Sequence, residues 1–206
     1  NTVNGFVETW YDQSGNGNDA TQATASLQPK IVDAGSLLTD GIDFDGTSQA
    51  GLVTGSFSLT QAFTTFSVSH TDDASTSLGI WATAASATSN FNVTSLFRSD
   101  DGFAVNAGTT LTTAGTIDYV ADRTYLQTNV VNGGSSSIFV DGATGETGNA
   151  GSTNPSGVLI IGYFKSGSYF NLDGAIKELI IYDSDQTSNR AALETNIAAA
   201  NGVTLS

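Results

Sequence analysis

Apolar and polar residues alternate every second position along this chain, in short runs cut by turn signals, and that alternation limits its folding most. In residues 63–70, Phe63, Thr65 and Ser67 share one side while Thr64, Phe66 and Val68 share the other. Residues 5–11 alternate in the same way, and residues 42–44 form a shorter piece ending at Asp45-Gly46. A period of two belongs to a pleated strand, whose successive side chains point to opposite faces. Residues 124–131 and 136–140 flank Asn132-Gly133-Gly134. That flank predicts a hairpin, because Asn and Gly accept the positive φ of a tight reversal. Residues 156–164 and 175–182 are apolar enough for central strands. One segment departs from the period. Leu193, Ile197 and Ala200 share a face at helical spacing, Asp185, Thr187 or Ser188 can cap its start, and Gly202 supplies a left-handed exit. Strands throughout with one terminal helix exclude βαβ folds. They predict an all-β, two-sheet antiparallel jelly-roll sandwich with a short C-terminal helix.

The 206 residues suit one such domain, spanning 1–206 without a linker. Gly, Ser, Thr and Asn take the place of charge, since only 13% of residues are charged. Six basic against 20 acidic residues give a net charge of −14, which repels phosphate backbones and anionic membranes and argues against nucleic acid as a partner. The longest apolar runs, such as 157–164, fall far short of the ~18–20 residues that span a bilayer, so no membrane insertion is expected. With no cysteine there is neither disulfide nor thiolate chemistry, and the composition reads as extracellular, on a bacterial or virion surface. The lack of methionine predicts a chain processed or excerpted from a longer one.

Three segments carry a resemblance. They are Thr9-Trp10-Tyr11-Asp12-Gln13-Ser14-Gly15-Asn16-Gly17-Asn18-Asp19 with its continuation to Val32, Ile42-Asp43-Phe44-Asp45-Gly46-Thr47, and Asp173-Gly174-Ala175-Ile176-Lys177-Glu178 through the helix. With Phe139-Val140-Asp141-Gly142 they resemble the concanavalin A-like lectin/glucanase superfamily in its laminin-G-like branch, of the kind seen in tailed-phage structural proteins and secreted bacterial proteins. The opening also looks like that of fungal-type arabinofuranosidase B catalytic domains, whose cysteines are missing here. Lys177 stands where laminin-G-like domains often carry Asp. The resemblance implies the sandwich fold. It implies little about function, because one fold hosts lectins, hydrolases and scaffolds.

The sharpest local constellation is the loop 12–19. Asp12, Ser14, Asn16 and the nearby Asp19 offer alternating oxygens with Gly at the turn, like the first half of a calcium loop, while the closing twelfth position is Ala23. Calcium is the candidate cofactor, and a turn held by Asx hydrogen bonds is the alternative. The same loop reads Gly15-x-Gly17-x-x-Ala20, but no helix pattern follows to make it a dinucleotide site. His70 is the single histidine, too few for a zinc cluster, and no Gly-x-Ser-x-Gly elbow accompanies it. Asn92-Val93-Thr94 is a glycosylation sequon only in a eukaryotic secretory host.

Sugar hydrolysis needs two carboxylates flanking the scissile bond. None of Glu8, Glu146, Glu178 and Glu194 sits in the Glu-x-Asp-x-x-Glu pattern of the superfamily's glucanases. Glu8, Glu178 or aspartates are left as an unfamiliar pair, and no enzyme is expected. For sugar binding, Trp81, Tyr163 and Tyr169 are the candidate flat platforms, with core packing as the alternative for each. The expected function is a glycan-recognition or adhesion domain, binding a cell-surface or polysaccharide glycan. A ligand-free virion component, partnered by other virion proteins or itself, comes second, and a glycoside hydrolase third.

Overall fold

The computed structural model describes residues 3–47, 51–73, 75–100 and 102–206. Two large antiparallel sheets face each other. The first runs edge to edge through Gly5–Phe6, Lys30–Asp33, Ile42–Asp45, Asp173–Tyr182, Phe63–Thr71, Tyr125–Val131, Ser136–Val140 and Ala143–Gly148, with Ser36–Leu37 hairpinned onto Lys30–Asp33. The second runs through Thr110–Thr112, Phe103–Asn106, Phe91–Phe97, Leu78–Ala84, Ser156–Ile161, Leu52–Ser58, Ala20–Thr21 and Thr9–Trp10. Alternation along the strands gives each sheet two faces. Phe44, Phe63, Tyr125, Ile138 and Ile176 from the first meet Leu52, Trp81, Val93, Phe97 and Phe103 from the second in one core.

Both outer faces are covered as well. On the first sheet Phe66, Val68 and Leu126 pack beneath Ile197 and Ala198 of the helix Arg190–Asn201. On the second, a separate hairpin of Tyr163–Ser166 and Ser168–Asn171 lies over Ala82, Ala84, Leu96 and Ala104. Phe170 stacks on Phe164 with centroids 4.7 Å apart, and Phe164 meets the edge of Phe91 at 5.4 Å. Burial on both faces is why Phe63–Thr71, Leu78–Ala84 and Tyr125–Val131 are almost wholly buried strands.

The all-β sandwich with a C-terminal helix is thus what the chain forms. Four details differ from the sequence reading. Residues 5–11 are not one strand: Gly5–Phe6 joins the first sheet, Thr9–Trp10 the second, and the chain crosses between them. Residues 156–164 break at Gly162, whose φ of 90° sends the chain out of the sheet and over it. The helix is preceded by Asn189 rather than by Asp185, Thr187 or Ser188, and Asp185 instead closes an Asx turn onto the Thr187 N–H at 2.8 Å. Ala200 is exposed, while Glu194 turns inward beside Leu193 and Ile197. Gly202 takes the left-handed exit, with φ 71°.

Candidate functional site

Two adjacent hollows lie where the first sheet's outer face meets the rim of the sandwich. The first, about 400 Å³, is built on one transverse row of paired residues. Lys30 pairs with Asp43, Asp43 with Ala175, and Ala175 with His70. Ile42 and Phe44 point into the core, so Asp43 between them points out. Ala175 leaves the floor low between Asp43 and His70, and Asp40, Asp72, Asp122 and Thr124 complete the walls. Lys30 Nζ bridges Asp33 at 3.3 Å and Asp43 at 3.4 Å, and Lys177 reaches Asp40 at 3.8 Å. His70 Nε2 meets Asp72 Oδ1 at 3.2 Å, while its Nδ1 is buried without a hydrogen-bond partner.

The second hollow, about 410 Å³, begins two residues along the same strands, where Asp45 pairs with Asp173. Asp45, Asp73, Asp173, Thr76, Asn171 and Tyr169 line it, bringing the ends of first-sheet strands against the outer hairpin. Gly46 allows the approach, since a Cβ there would stand 2.8 Å from the Asp173 side chain. Burial pushes the Asp173 carboxyl up, and the nearby charges of Asp72, Asp73, Asp43 and Asp45 push it further. Asp73 is shifted down, because the Ser75 hydroxyl and N–H and the Thr76 hydroxyl all donate to it. The lining is rich in acceptors and poor in positive charge, and it suits a ligand that donates hydrogen bonds.

The candidate residues fall in different places. Trp81 is 1% exposed and belongs to the inter-sheet core, and Tyr163 is 2% exposed with its hydroxyl on the Ala87 carbonyl at 3.2 Å. Buried rings offer no face to a dissolved sugar, so the packing alternative replaces the platform role for both. Tyr169 is half-buried on the hairpin and lines the second hollow, with Lys165 Nζ 5.2 Å from its ring centre.

In the loop 12–19, Asp12 Oδ1 accepts from the Ser14 N–H at 2.8 Å and Oδ2 from the Asn18 N–H at 3.0 Å. Asp19 Oδ1 accepts from the Asp12 N–H at 2.8 Å, and Ser14 Oγ from the Asn16 N–H at 3.2 Å. These bonds, the Asn18 N–H foremost and then the Ser14 hydroxyl, lower the Asp12 carboxyl to about 2. The loop is an Asx-type turn held by its own N–H groups. Among the described residues no group of three or more His, Cys, Asp or Glu is arranged to hold a metal.

Of the glutamates, neither Glu8 nor Glu178 lines either of these two hollows, and Glu178 accepts from Asn201 Nδ2 at 2.6 Å. Asp43, Asp45, Asp72, Asp73 and Asp173 were not singled out from the sequence. Alternation in Ile42-Asp43-Phe44-Asp45 turns both aspartates away from the core, but only strand pairing shows that Asp173 and Asp72 join them. No described helix is long and apolar enough to cross a membrane.

No protein-family model matches the chain, and no curated protein sequence does. Solved structures do. A mutant of Trypanosoma rangeli sialidase displaying trans-sialidase activity aligns with a TM-score of 0.64 at 15% identity, over 96% of this chain and 32% of that one. A heptameric SAP-like pentraxin from Limulus polyphemus aligns with a TM-score of 0.58 at 14% identity, over 76% of this chain and 82% of the pentraxin. A candidate carbohydrate binding protein from Bacteroides ovatus aligns with a TM-score of 0.55 at 14% identity, over 75% and 47%. The chain spans about a third of the length of the sialidase chains it matches. At these identities the likeness is one of fold, and the fold is an antiparallel jelly-roll β-sandwich.

Proposed function

We propose that this domain recognises a saccharide at the rim hollow carrying Tyr169, and does so without cleaving it. The hollow itself carries the reading. A half-buried tyrosine ring stands beside carboxylate, amide and hydroxyl groups, the combination that stacks on sugar C–H faces and orients sugar hydroxyls. The neighbours lend support, since one is described as a candidate carbohydrate binder. The lining also sets the charge of the ligand. Asp45, Asp73 and Asp173 line the hollow and, among the described residues, no lysine or arginine does, so an acidic sugar is repelled and a neutral one favoured. An extracellular setting on a bacterial or phage surface fits the acidic, cysteine-free chain, with a surface polysaccharide as partner. Calcium at Asp12, Ser14, Asn16 and Asp19 is a separate proposal, resting on the alternating oxygen side chains of that loop.

The test is an array of bacterial polysaccharides and of neutral and sialylated oligosaccharides. Wild type is expected to bind neutral glycans, and Tyr169→Ala to weaken binding about fivefold, the size of about 1 kcal/mol for one aromatic contact. Release of reducing ends, abolished by Asp173→Asn or Glu178→Gln, overturns the non-enzymatic reading. Absence of binding across the array, together with self-assembly or capsid attachment, replaces it with a structural virion role.

A further inference from the structure

The middle of the sandwich carries a polar seam where apolar side chains are the rule. Thr65, Ser67, Gln127 and Asn129 project inward from the first sheet and Ser95 from the second, all of them buried. The seam is bonded across the gap. Asn129 Nδ2 donates to Thr65 Oγ1 and Ser95 Oγ, each at 3.2 Å. Gln127 Nε2 donates to Asn129 Oδ1 at 2.9 Å and reaches the Ala104 carbonyl at 3.4 Å. Those two acceptors fix the amide, because turning it over would set its oxygen against two oxygens.

Three side-chain atoms of this region have no hydrogen-bond partner: Gln127 Oε1, Ser67 Oγ and Trp81 Nε1. Ser67 and Gln127 are cross-strand partners, and Trp81 is the partner of Ser95, to which Asn129 donates. The three residues are 0–1% exposed. Unpaired buried polar atoms are costly and uncommon in native interiors, and three along one seam call for an explanation. Their needs are complementary. The indole N–H only donates, the amide oxygen only accepts, and the serine hydroxyl does either. Sheets stand roughly 10 Å apart, and the buried side chains of Ser67 and Ser95 fill less of that interior than Leu or Phe would. Buried water typically makes about three hydrogen bonds in such polar interiors.

We infer that the centre of the sandwich holds internal water, accepting from the Trp81 indole N–H, donating to Gln127 Oε1 and contacting Ser67 Oγ. The site is independent of the rim hollow and does not rest on its reading.

Water-to-protein NOE and ROE spectra on the folded domain test it. Trp10 and Trp81 are the only tryptophans, so Trp10→Phe assigns the Trp81 indole signal. The expected result is a cross-peak of long-lived water at that N–H, which weakens in Ser67→Ala while the melting temperature falls by about 2–4 °C. A Trp81 indole without a water cross-peak overturns the proposal, whatever Ser67→Ala does. A melting temperature that rises in Ser67→Ala also overturns it, since that marks a dry hydroxyl whose removal relieves the core.

Discussion

Glu194 is a carboxylate 1% exposed beneath the C-terminal helix, so its stability depends on compensation. Thr128 Oγ1 donates to its Oε1 at 2.8 Å, and Arg190, one helical turn earlier, pairs with its Oε2. Arg190 also lies over the Phe139 ring, 3.8 Å from its centre. Burial pushes the Glu194 carboxyl above its ordinary value of 4.5, against the pull of Thr128 and Arg190. Arg190→Met keeps an aliphatic stem on Phe139 and deletes the guanidinium, together with its bond to the Gly142 carbonyl. Breaking a buried pair costs about 3–5 kcal/mol, and the partial exposure of Arg190 reduces that to about 2–3. For a domain of this size the melting temperature then falls by about 4–12 °C at pH 7. The pH dependence follows from the same group. A carboxyl raised in the folded state binds more protons there than when unfolded, so stability falls as pH rises from 4.5 through the folded value. Losing Arg190 enlarges that penalty, so the gap between wild type and variant narrows as the pH is lowered toward 4. Calorimetry of both proteins across pH measures it, and Glu194→Leu added to Arg190→Met returns most of the loss. A gap equal at pH 7 and pH 4, or smaller than about 1 °C, refutes the compensation argument.

Asp173 is raised by burial and then by its four aspartate neighbours, so its charge opposes folding increasingly as pH rises. Asp173→Asn is expected to raise the melting temperature by about 1–2 °C at pH 7 in low salt, a gain that shrinks in acid or high salt; no gain at pH 7 counts against the corner's repulsion. Asp12 is held at about 2 by the Asn18 N–H and the Ser14 hydroxyl, so its contribution is present above 3.8 and lost as pH falls through about 2. Asp12→Ala therefore lowers the melting temperature at neutral pH, by an amount that shrinks as the pH falls from 3.8 through about 2. If the loop takes calcium, adding the ion raises the wild-type melting temperature, chelator lowers it, and Asp12→Ala removes the difference; a wild-type melting temperature indifferent to both leaves the turn alone.

What the sequence disclosed and what it hid divide along physical lines. Residues 63–70 read correctly as a strand from their period of two, and residues 136–140 from the Asn-Gly-Gly turn that they flank. Alternation is silent on which strands pair, and the acidic corner exists only through pairing: Asp45 and Asp173 are 128 positions apart yet face each other. Aromatic residues misled for a related reason, since a Trp in an apolar strand reads the same whether it faces the inter-sheet core, as Trp81 does, or the sheet's outer side.

Glycines hide most, because turn, bulge and close approach share one letter. Gly157 and Gly55 lie on the neighbouring strands Ser156–Ile161 and Leu52–Ser58. A Cβ on Gly55 meets nothing within 4 Å, whereas one on Gly157 would lie 1.9 Å from the Ala84 carbonyl oxygen, on a backbone with φ +96°. That carbonyl belongs to a paired strand and cannot withdraw without opening the pairing of Val158 with Ala84. Gly157→Ala then combines backbone strain of about 1–3 kcal/mol with a displaced strand, and a loss of at least about 5 °C or insoluble expression is expected. Gly55→Ala should match wild type or exceed it slightly, since the substitution lowers the entropy of the unfolded chain. Equal melting temperatures for the two variants would mean that the approach of Ala84 to Gly157 is not part of the fold.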